Sequence, residues 1–310
     1  MERLIKCKIC ASNDFVFWAK SQDIEYFTSN DEYSYYECRN CKTLFIYPVP
    51  CAELSKIYPS NYYSFGKNAA VGILHKIKSL FDYKFFKTIT NKMDGDRLSA
   101  LGIGGGTGFV LKTLANADKR FVDGTVVDFD AASESAAREH GFDFVCAKIE
   151  DTNFSRKFDI ILMLNLIEHV SDPLQVLKKI KKLLNLNGRI IIKTPNYQSL
   201  DAALFKNRSW AGYHCPRHWV IFSEISLRKA MDIVGLDIET FHYTQGAPFW
   251  AGSITNYLYK MGLVSVGRER PMPSHPIVSV FLIFFAIFDF IRARMGFATS
   301  QVFLVAKLRD

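Results

Sequence analysis

The stretch Leu98-Ser-Ala-Leu-Gly-Ile-Gly-Gly-Gly-Thr-Gly108, followed by Phe109-Val-Leu-Lys-Thr-Leu114, decides the fold of this 310-residue chain. Apolar residues run into Gly104, Gly105, Gly106 and Gly108, and a helical pattern follows. The order predicts a strand, a tight turn and a helix start. Glycines let the backbone bend sharply and approach a ligand that a β-carbon would push away. The helix N-terminus then presents unpaired N–H groups to a polar or anionic group. A nucleoside cofactor fits such a cradle. A P-loop does not, because no Gly-Lys-Ser/Thr follows, and a dinucleotide fingerprint is poorly met by the spacing of Gly102, Gly104 and Gly105 or Gly106.

The next element narrows the choice. Phe121-Val-Asp-Gly-Thr-Val-Val-Asp128 predicts a second strand ending in a carboxylate, 20 residues beyond Gly108. An acid there can accept both ribose hydroxyls; capping a helix over 131–140 is its other possible role. Phe129 is placed to pack on an adenine face. Further on, 142–145 predicts a short third strand, and Phe158-Asp-Ile-Ile-Leu-Met-Leu164 a fourth, apolar enough for burial on both faces. Pro173 opens a helix over 174–184, and Asn187-Gly188 turns the chain into a fifth strand, Arg189-Ile-Ile-Ile192. A helix over 222–235, a sixth strand over 236–243 and a seventh over 301–306 complete the series. Strands alternating with helices imply an α/β fold with right-handed crossovers and a parallel sheet. The fifty-odd residues between the last two strands exceed a plain loop and predict a helical insertion, about 244–298.

Composition divides the rest. Residues 1–50 are rich in aromatics and paired cysteines, 51–96 form a tyrosine-rich connector and a basic helix, and 97–310 hold the α/β domain. The net charge of +8 admits nucleic acid, an anionic membrane or an acidic substrate. The charge is spread, however. Its densest cluster, Lys178, Lys179, Lys181 and Lys182, alternates with Leu174, Leu177, Ile180 and Leu184, as on a solvated helix face. That argues against nucleic acid as the partner. The first ten residues lack an apolar core, and seven cysteines without an export signal predict reduced thiols and a cytoplasmic chain.

Cys7-x-x-Cys10 and Cys38-x-x-Cys41 are two knuckles 27 residues apart. Four thiolates in that pattern suit a closed tetrahedral Zn2+ site of structural type within a small zinc-ribbon-like lobe. Two histidines are candidates for a catalytic base. His169 follows strand four, at the edge where open α/β sheets bind ligands; bracing the Asp172-Pro173 helix start is its alternative. His218 lies in Trp210-Ala-Gly-Tyr-His-Cys-Pro-Arg-His218 after strand five. There His214 and Arg217 are candidates for substrate binding, since aromatic rings stack on sugars and arginine pairs with phosphate. A packed aromatic corner is the alternative for that loop.

The motifs 103–108 (Ile-Gly-Gly-Gly-Thr-Gly), 126–128 (Val-Val-Asp), 148–151 (Lys-Ile-Glu-Asp), 158–161 (Phe-Asp-Ile-Ile), 165–170 (Asn-Leu-Ile-Glu-His-Val) and 187–196 (Asn-Gly-Arg-Ile-Ile-Ile-Lys-Thr-Pro-Asn) together resemble class I S-adenosylmethionine-dependent methyltransferases. Glu168-His169-Val170, Thr194-Pro195-Asn196 and Cys215-Pro216-Arg217-His218 resemble a bacterial subgroup acting on sugars and small metabolites, with an N-terminal zinc lobe. The resemblance implies a Rossmann-like seven-stranded sheet and S-adenosylmethionine as methyl donor. It implies that Gly104, Gly106 and Gly108 line the methionine and ribose, and that Asp128 holds the ribose hydroxyls. Phe129 and Ile149 would flank the adenine, Glu150 would lie near its amino group, and Asn165 beside the sulfonium. Connectors such as the one carrying Tyr58, Tyr62 and Tyr63 reach over cofactor or substrate in that subgroup; an exposed turn is the plainer reading. Two positions depart from the family pattern: Gly102 and Lys148 stand where acids are usual.

The implied acceptor is a sugar, nucleotide- or lipid-linked, in polysaccharide or secondary-metabolite biosynthesis. The competing class is a non-catalytic zinc-ribbon module with a degenerate cofactor fold, binding nucleic acid or a protein. The twelve-residue apolar run 277–288, too short to span a bilayer, predicts a buried helix of the insertion. The alternative places segment 277–294 against the inner face of the membrane or a lipid-linked acceptor, with its arginines at the interface.

Overall fold

A computed structural model describes residues 6–50, 54–59, 62, 73–207 and 210–309, with side chains for all of these except 55 and 73–79. Near the N-terminus, β1 (Phe15–Gln22), β2 (Glu32–Cys38) and β3 (Leu44–Tyr47) pair antiparallel in series. A fourth strand comes from far along the chain: β9 (Val220–Ile221) pairs antiparallel with β3. The described part of the lobe, residues 6–50, therefore shares its sheet with the α/β domain.

The main sheet begins at β4 (Leu98–Ile103) and continues with β5 (Phe121–Asp128), β6 (Asp143–Cys146), β7 (Phe158–Leu164), β8 (Leu184–Pro195), β10 (Leu236–Thr244) and β11 (Gln301–Leu308). Its spatial order is β10-β11-β8-β7-β4-β5-β6. This is the expected seven-stranded α/β sheet, with one difference. It is mixed, because β11 runs antiparallel to both β8 and β10. The last strand returns from the far end of the helical insertion, so it enters in the opposite sense. Alternate residues of the central strands feed two apolar layers, as the strand period of two requires. Ile161, Met163, Ile190 and Ile192 face α5 (Pro173–Lys182) and α7 (Glu224–Val234). Ala100, Ile160, Leu162 and Ile191 face α2 (Ile73–Thr90) and α3 (Phe109–Ala117). In α5, Asp172 caps the start by accepting from the Gln175 N–H at 3.0 Å; Val176, Leu177 and Ile180 are buried, leaving the lysines largely outward.

The insertion contains α8 (Ala247–Lys260) and α9 (Pro276–Arg294). Buried Asp289 ties them together. It accepts from the Gly246 N–H at 3.0 Å and the Trp250 indole at 3.2 Å, and pairs with Arg292 at 2.9 Å. Trp250 stacks on Phe285 at 4.7 Å. The expectation of a buried helix fails here: of the nineteen residues of α9 only Val278 and Asp289 are buried. The helix is also longer than the apolar run at its centre and, by length and composition, is one that could cross a membrane.

Candidate functional site

Two open clefts meet at Ile103 and Gly104, at the carboxyl ends of β4 and β5, where ligands bind in open α/β sheets. The first, about 740 Å³, is lined by Tyr58, Asp128, Phe129, Ile149, Glu150, His169 and Trp219 among others. The second, about 770 Å³, is lined by Asp82, Gly102, Gly105, Asn165, Lys193 and Phe303 among others.

The turn between them is built as its glycines require. Gly104 has φ +63°, and a β-carbon there would meet the Leu166 side chain at 2.9 Å. Gly106 has φ +49° and donates its N–H to Asp128 Oδ2 at 2.8 Å. Gly108 opens α3. Asp128 Oδ1 accepts from the Asp130 N–H at 3.0 Å. Burial pushes the Asp128 carboxyl above its usual range, against the pull of these two backbone donors. Asp128 is thus not the helix cap; Asp130 takes that role for the short turn at Ala131–Ser133 that precedes α4 (Glu134–Glu139). Exposed Phe129 and buried Ile149 stand on the same cleft as Asp128. Asn165 has φ +55° and is held by the Gln301 side chain at 2.7 Å, on the second cleft.

Of the two candidate bases, His169 reaches the first cleft. Its Nδ1 lies 3.1 Å from the Arg217 carbonyl and 2.9 Å from the Tyr58 hydroxyl. A carbonyl can only accept, so that bond puts the proton on Nδ1 and leaves Nε2 to take one. Burial, with His214 nearby, lowers the ring's pKa to about 3, so His169 is neutral at neutral pH. His218 is buried behind it, with ring centroids 4.6 Å apart, and its Nδ1 donates to the Gly212 carbonyl at 2.8 Å. It therefore backs the cleft wall.

Glu168 is wholly buried beside them. Its Oε2 accepts from the Thr194 hydroxyl at 3.0 Å, while Oε1 has no hydrogen-bond partner among the described residues and lies 3.9 Å from His218 Nε2. Burial raises its pKa to about 8. The folded state therefore holds a proton that the unfolded carboxylate has released above its usual value near 4.5. The stability this contributes is present below about 4.5 and is lost as pH rises towards about 8. Glu168→Gln is expected to flatten that decline: thermal unfolding at pH 5 and pH 8 should show a smaller difference for the variant. An unchanged difference would mean that Glu168 titrates normally.

Three expected substrate contacts are corrected. Arg217 is fully buried: it pairs with Asp23 at 2.8 Å, donates Nε to the Ile57 carbonyl at 2.7 Å and lies over the Tyr26 ring at 4.7 Å. Its guanidinium braces the N-terminal lobe and is not available to a phosphate. Buried His214 pairs with Glu25 through Nδ1, and its Nε2 lies 2.9 Å from the Tyr62 hydroxyl. His214 and Tyr62 thus satisfy each other behind the cleft, and the connector tyrosine that lines it is Tyr58, from just after α1 (Leu54–Ile57). Tyr63 lies outside the described residues. Asp82 was not expected. It places a carboxylate in the same cleft as Gly102, where the family pattern has an acid. It shares a helix face with Phe86 and Ile89, which is the signal that could have found it.

In the lobe, the sulfur atoms of Cys7, Cys10, Cys38 and Cys41 all lie within 4.8 Å of one another. Tetrahedral zinc, with bonds of about 2.3 Å, would separate its sulfurs by about 3.8 Å, so the four thiols fit one ion.

With this geometry in view, the comparisons decide the family. The profile described as "Methyltransferase domain" matches residues 74–240, more than half of the chain. The chain belongs to this methyltransferase family. The match runs from α2 to β10 and so contains most of the lining of both clefts, though Leu54, Tyr58 and Phe303 lie outside it. Similar curated proteins include the ubiquinone biosynthesis O-methyltransferases of Rickettsia prowazekii (strain Madrid E), 28% identical over 149 residues, and Bradyrhizobium diazoefficiens, 26% identical over 159 residues. These matches cover 46% and 48% of this chain and 59% and 63% of the relatives, so the methyltransferase spans less than two thirds of their length. Among solved structures, coclaurine N-methyltransferase bound to N-methylheliamine and SAH superposes with a TM-score of 0.53, over 84% of this chain and 80% of that one. At 15% identity, that likeness speaks for the fold.

Proposed function

We propose that this methyltransferase moves a methyl group from S-adenosylmethionine to a hydroxyl of a small acceptor, a sugar carried on a nucleotide or a lipid. The observation that carries the reading is the glycine turn locked to Asp128 at the junction of two clefts. The cradle fits the donor, because Gly106 leaves open space where a β-carbon would project, with only the Ser133 hydroxyl at 4.0 Å. Gly104, Gly106 and Gly108 would line the methionine and ribose, and Asp128 the ribose hydroxyls. Phe129 and Ile149 would flank the adenine, with Glu150 near its amino group and Asn165 near the sulfur. Asp82 supplies a carboxylate on the methionine side, where Gly102 has none. When bound, the donor brings a methyl already activated by a positively charged sulfur.

The protein's task is then alignment, water exclusion and proton removal. Alignment accounts for much of such a barrier reduction. The aromatic rings of Tyr58 and Trp219 stand on the same cleft as His169, a surface suited to stacking against a sugar. His169, whose Nδ1 donates to the Arg217 carbonyl and leaves Nε2 as an acceptor, is assigned as the base for the acceptor hydroxyl. Oxygen as the accepting atom is supported by the names of the curated relatives. We assign structural Zn2+ to Cys7, Cys10, Cys38 and Cys41, since four thiols leave no open position for chemistry.

Calorimetry with S-adenosylmethionine and S-adenosylhomocysteine, metal analysis, and mass spectrometry over a panel of nucleotide- and lipid-linked sugars test the reading. Saturable binding, one zinc per chain and a methylated sugar are expected. A methylated phenol with no methylated sugar would replace the acceptor class. No saturable binding, together with tight salt-sensitive RNA binding, would favour the zinc-ribbon binding module.

A further inference from the structure

We infer that the outer face of α9 docks on an anionic lipid bilayer, lying in its interface. The face is a continuous apolar stripe at helical spacing: Val280, Ile283, Phe284, Ile287, Phe290 and Ile291 are all exposed, from 42% to 66%. Met295 and Phe297 extend it past the helix end. Phe81 of α2 packs on Phe290 at 6.1 Å and, with Leu80, widens the patch; both are 55% exposed. Single exposed apolar residues are ordinary on a protein surface, but a patch of this extent marks an interaction site.

The charges bordering the patch choose the occupant. Exposed Lys84 and Lys87 lie one and two turns along α2 on the face that carries Leu80 and Phe81, and exposed Arg294 ends α9. The one acid in α9, Asp289, is buried and paired. A cationic border around an apolar stripe matches anionic headgroups over acyl chains. A second copy of the chain is disfavoured by the same charges. A two-fold contact presents a patch to itself, and would set Lys84, Lys87 and Arg294 against their own kind.

The helix lies on the bilayer and does not cross it. Its inner side is fastened to α8 through Asp289, Trp250 and Phe285. A spanning orientation would have to break the Asp289 hydrogen bonds in hydrocarbon. The α8 side leads on to the site loop, where the Ala211 N–H donates to Ser253 at 2.9 Å. Docking would therefore bring the clefts close to a lipid-borne acceptor, although the inference does not depend on methyl transfer.

Flotation of the full chain with vesicles of phosphatidylethanolamine and phosphatidylglycerol tests it, against pure phosphatidylcholine. The wild type is expected to float with the anionic vesicles. A variant carrying Val280→Ser, Phe284→Ser, Ile287→Ser and Ile291→Ser should lose roughly a hundredfold in partitioning, with an unchanged circular dichroism spectrum. Because those sites are exposed, folding should survive; Arg294→Glu is a milder second variant and should weaken binding to anionic vesicles alone. Absence of wild-type flotation, or equal flotation of the four-site variant, would overturn the inference. So would retention in the vesicles after alkaline carbonate, which would mean a spanning helix. A dimer by light scattering that the four-site variant abolishes, without flotation of either protein, would give the face to a second copy.

Discussion

Arg217→Ala is expected to destabilise the protein by about 3–5 kcal/mol, the cost of leaving one partner of a buried ion pair uncompensated. The pair is wholly enclosed: neither Arg217 nor Asp23 exposes its side chain. Asp23 also accepts from the Tyr26 and Thr28 N–H groups, so the 23–28 loop is organised around the carboxylate that the guanidinium neutralises. Removing the guanidinium also strands the Ile57 carbonyl that accepts from Nε. Thermal unfolding should show a midpoint lower by on the order of 10 °C. Arg217→Lys should recover only part of this, because lysine keeps the charge without the fork that reaches both acceptors. An alanine variant melting within roughly 2 °C of wild type would show that the pair is dispensable.

The second large effect is expected at Asp128. Asp128→Ala removes the acceptor for the Gly106 and Asp130 N–H groups and, in the proposed function, for two ribose hydroxyls. Hydrogen bonds to a charged group contribute about 1.5–3 kcal/mol each, so losing both ribose contacts should raise the Kd for S-adenosylmethionine by roughly 10²–10⁴-fold. Isothermal calorimetry checks this directly. Asp128→Asn keeps one acceptor oxygen and should fall between alanine and wild type. Equal affinity of the alanine variant and wild type would remove Asp128 from the cofactor site and leave it the holder of the turn.

How much was legible follows from what each residue pattern can encode. The main sheet is readable because β4 and β7 are buried on both faces and are followed by helices with clear apolar stripes, α3 and α5. The glycine turn is readable because φ values such as +63° at Gly104 suit few other residues. The sense of β11 is not readable, since alternation in Gln301–Leu308 is the same in either direction. The exposure of α9 is equally hidden, because an apolar run has one composition whether it meets protein or lipid. Arg217 shows a third limit. An arginine in an aromatic loop looks the same whether it faces a ligand or an acid, and its acid lies 194 residues away. His169 and His218 could be named as a pair from their motifs. Which of them reaches the cleft depends on the carbonyls of Arg217 and Gly212, and no side-chain pattern records those.

The pairing of β3 with β9 sets a timetable for synthesis. The four clustered cysteines are all made by residue 41, but the strand that closes their sheet begins at Val220, 173 residues after Tyr47. At roughly 5–20 residues per second, the ribosome needs about 10–35 s to supply it. Through that interval the edge of Leu44–Tyr47 has no β-partner on its outer side, although Leu44, Phe45 and Ile46 are all destined for burial. This lobe emerges well before the strand that completes it, and on the nascent polypeptide it is a strand edge open to wrong partners.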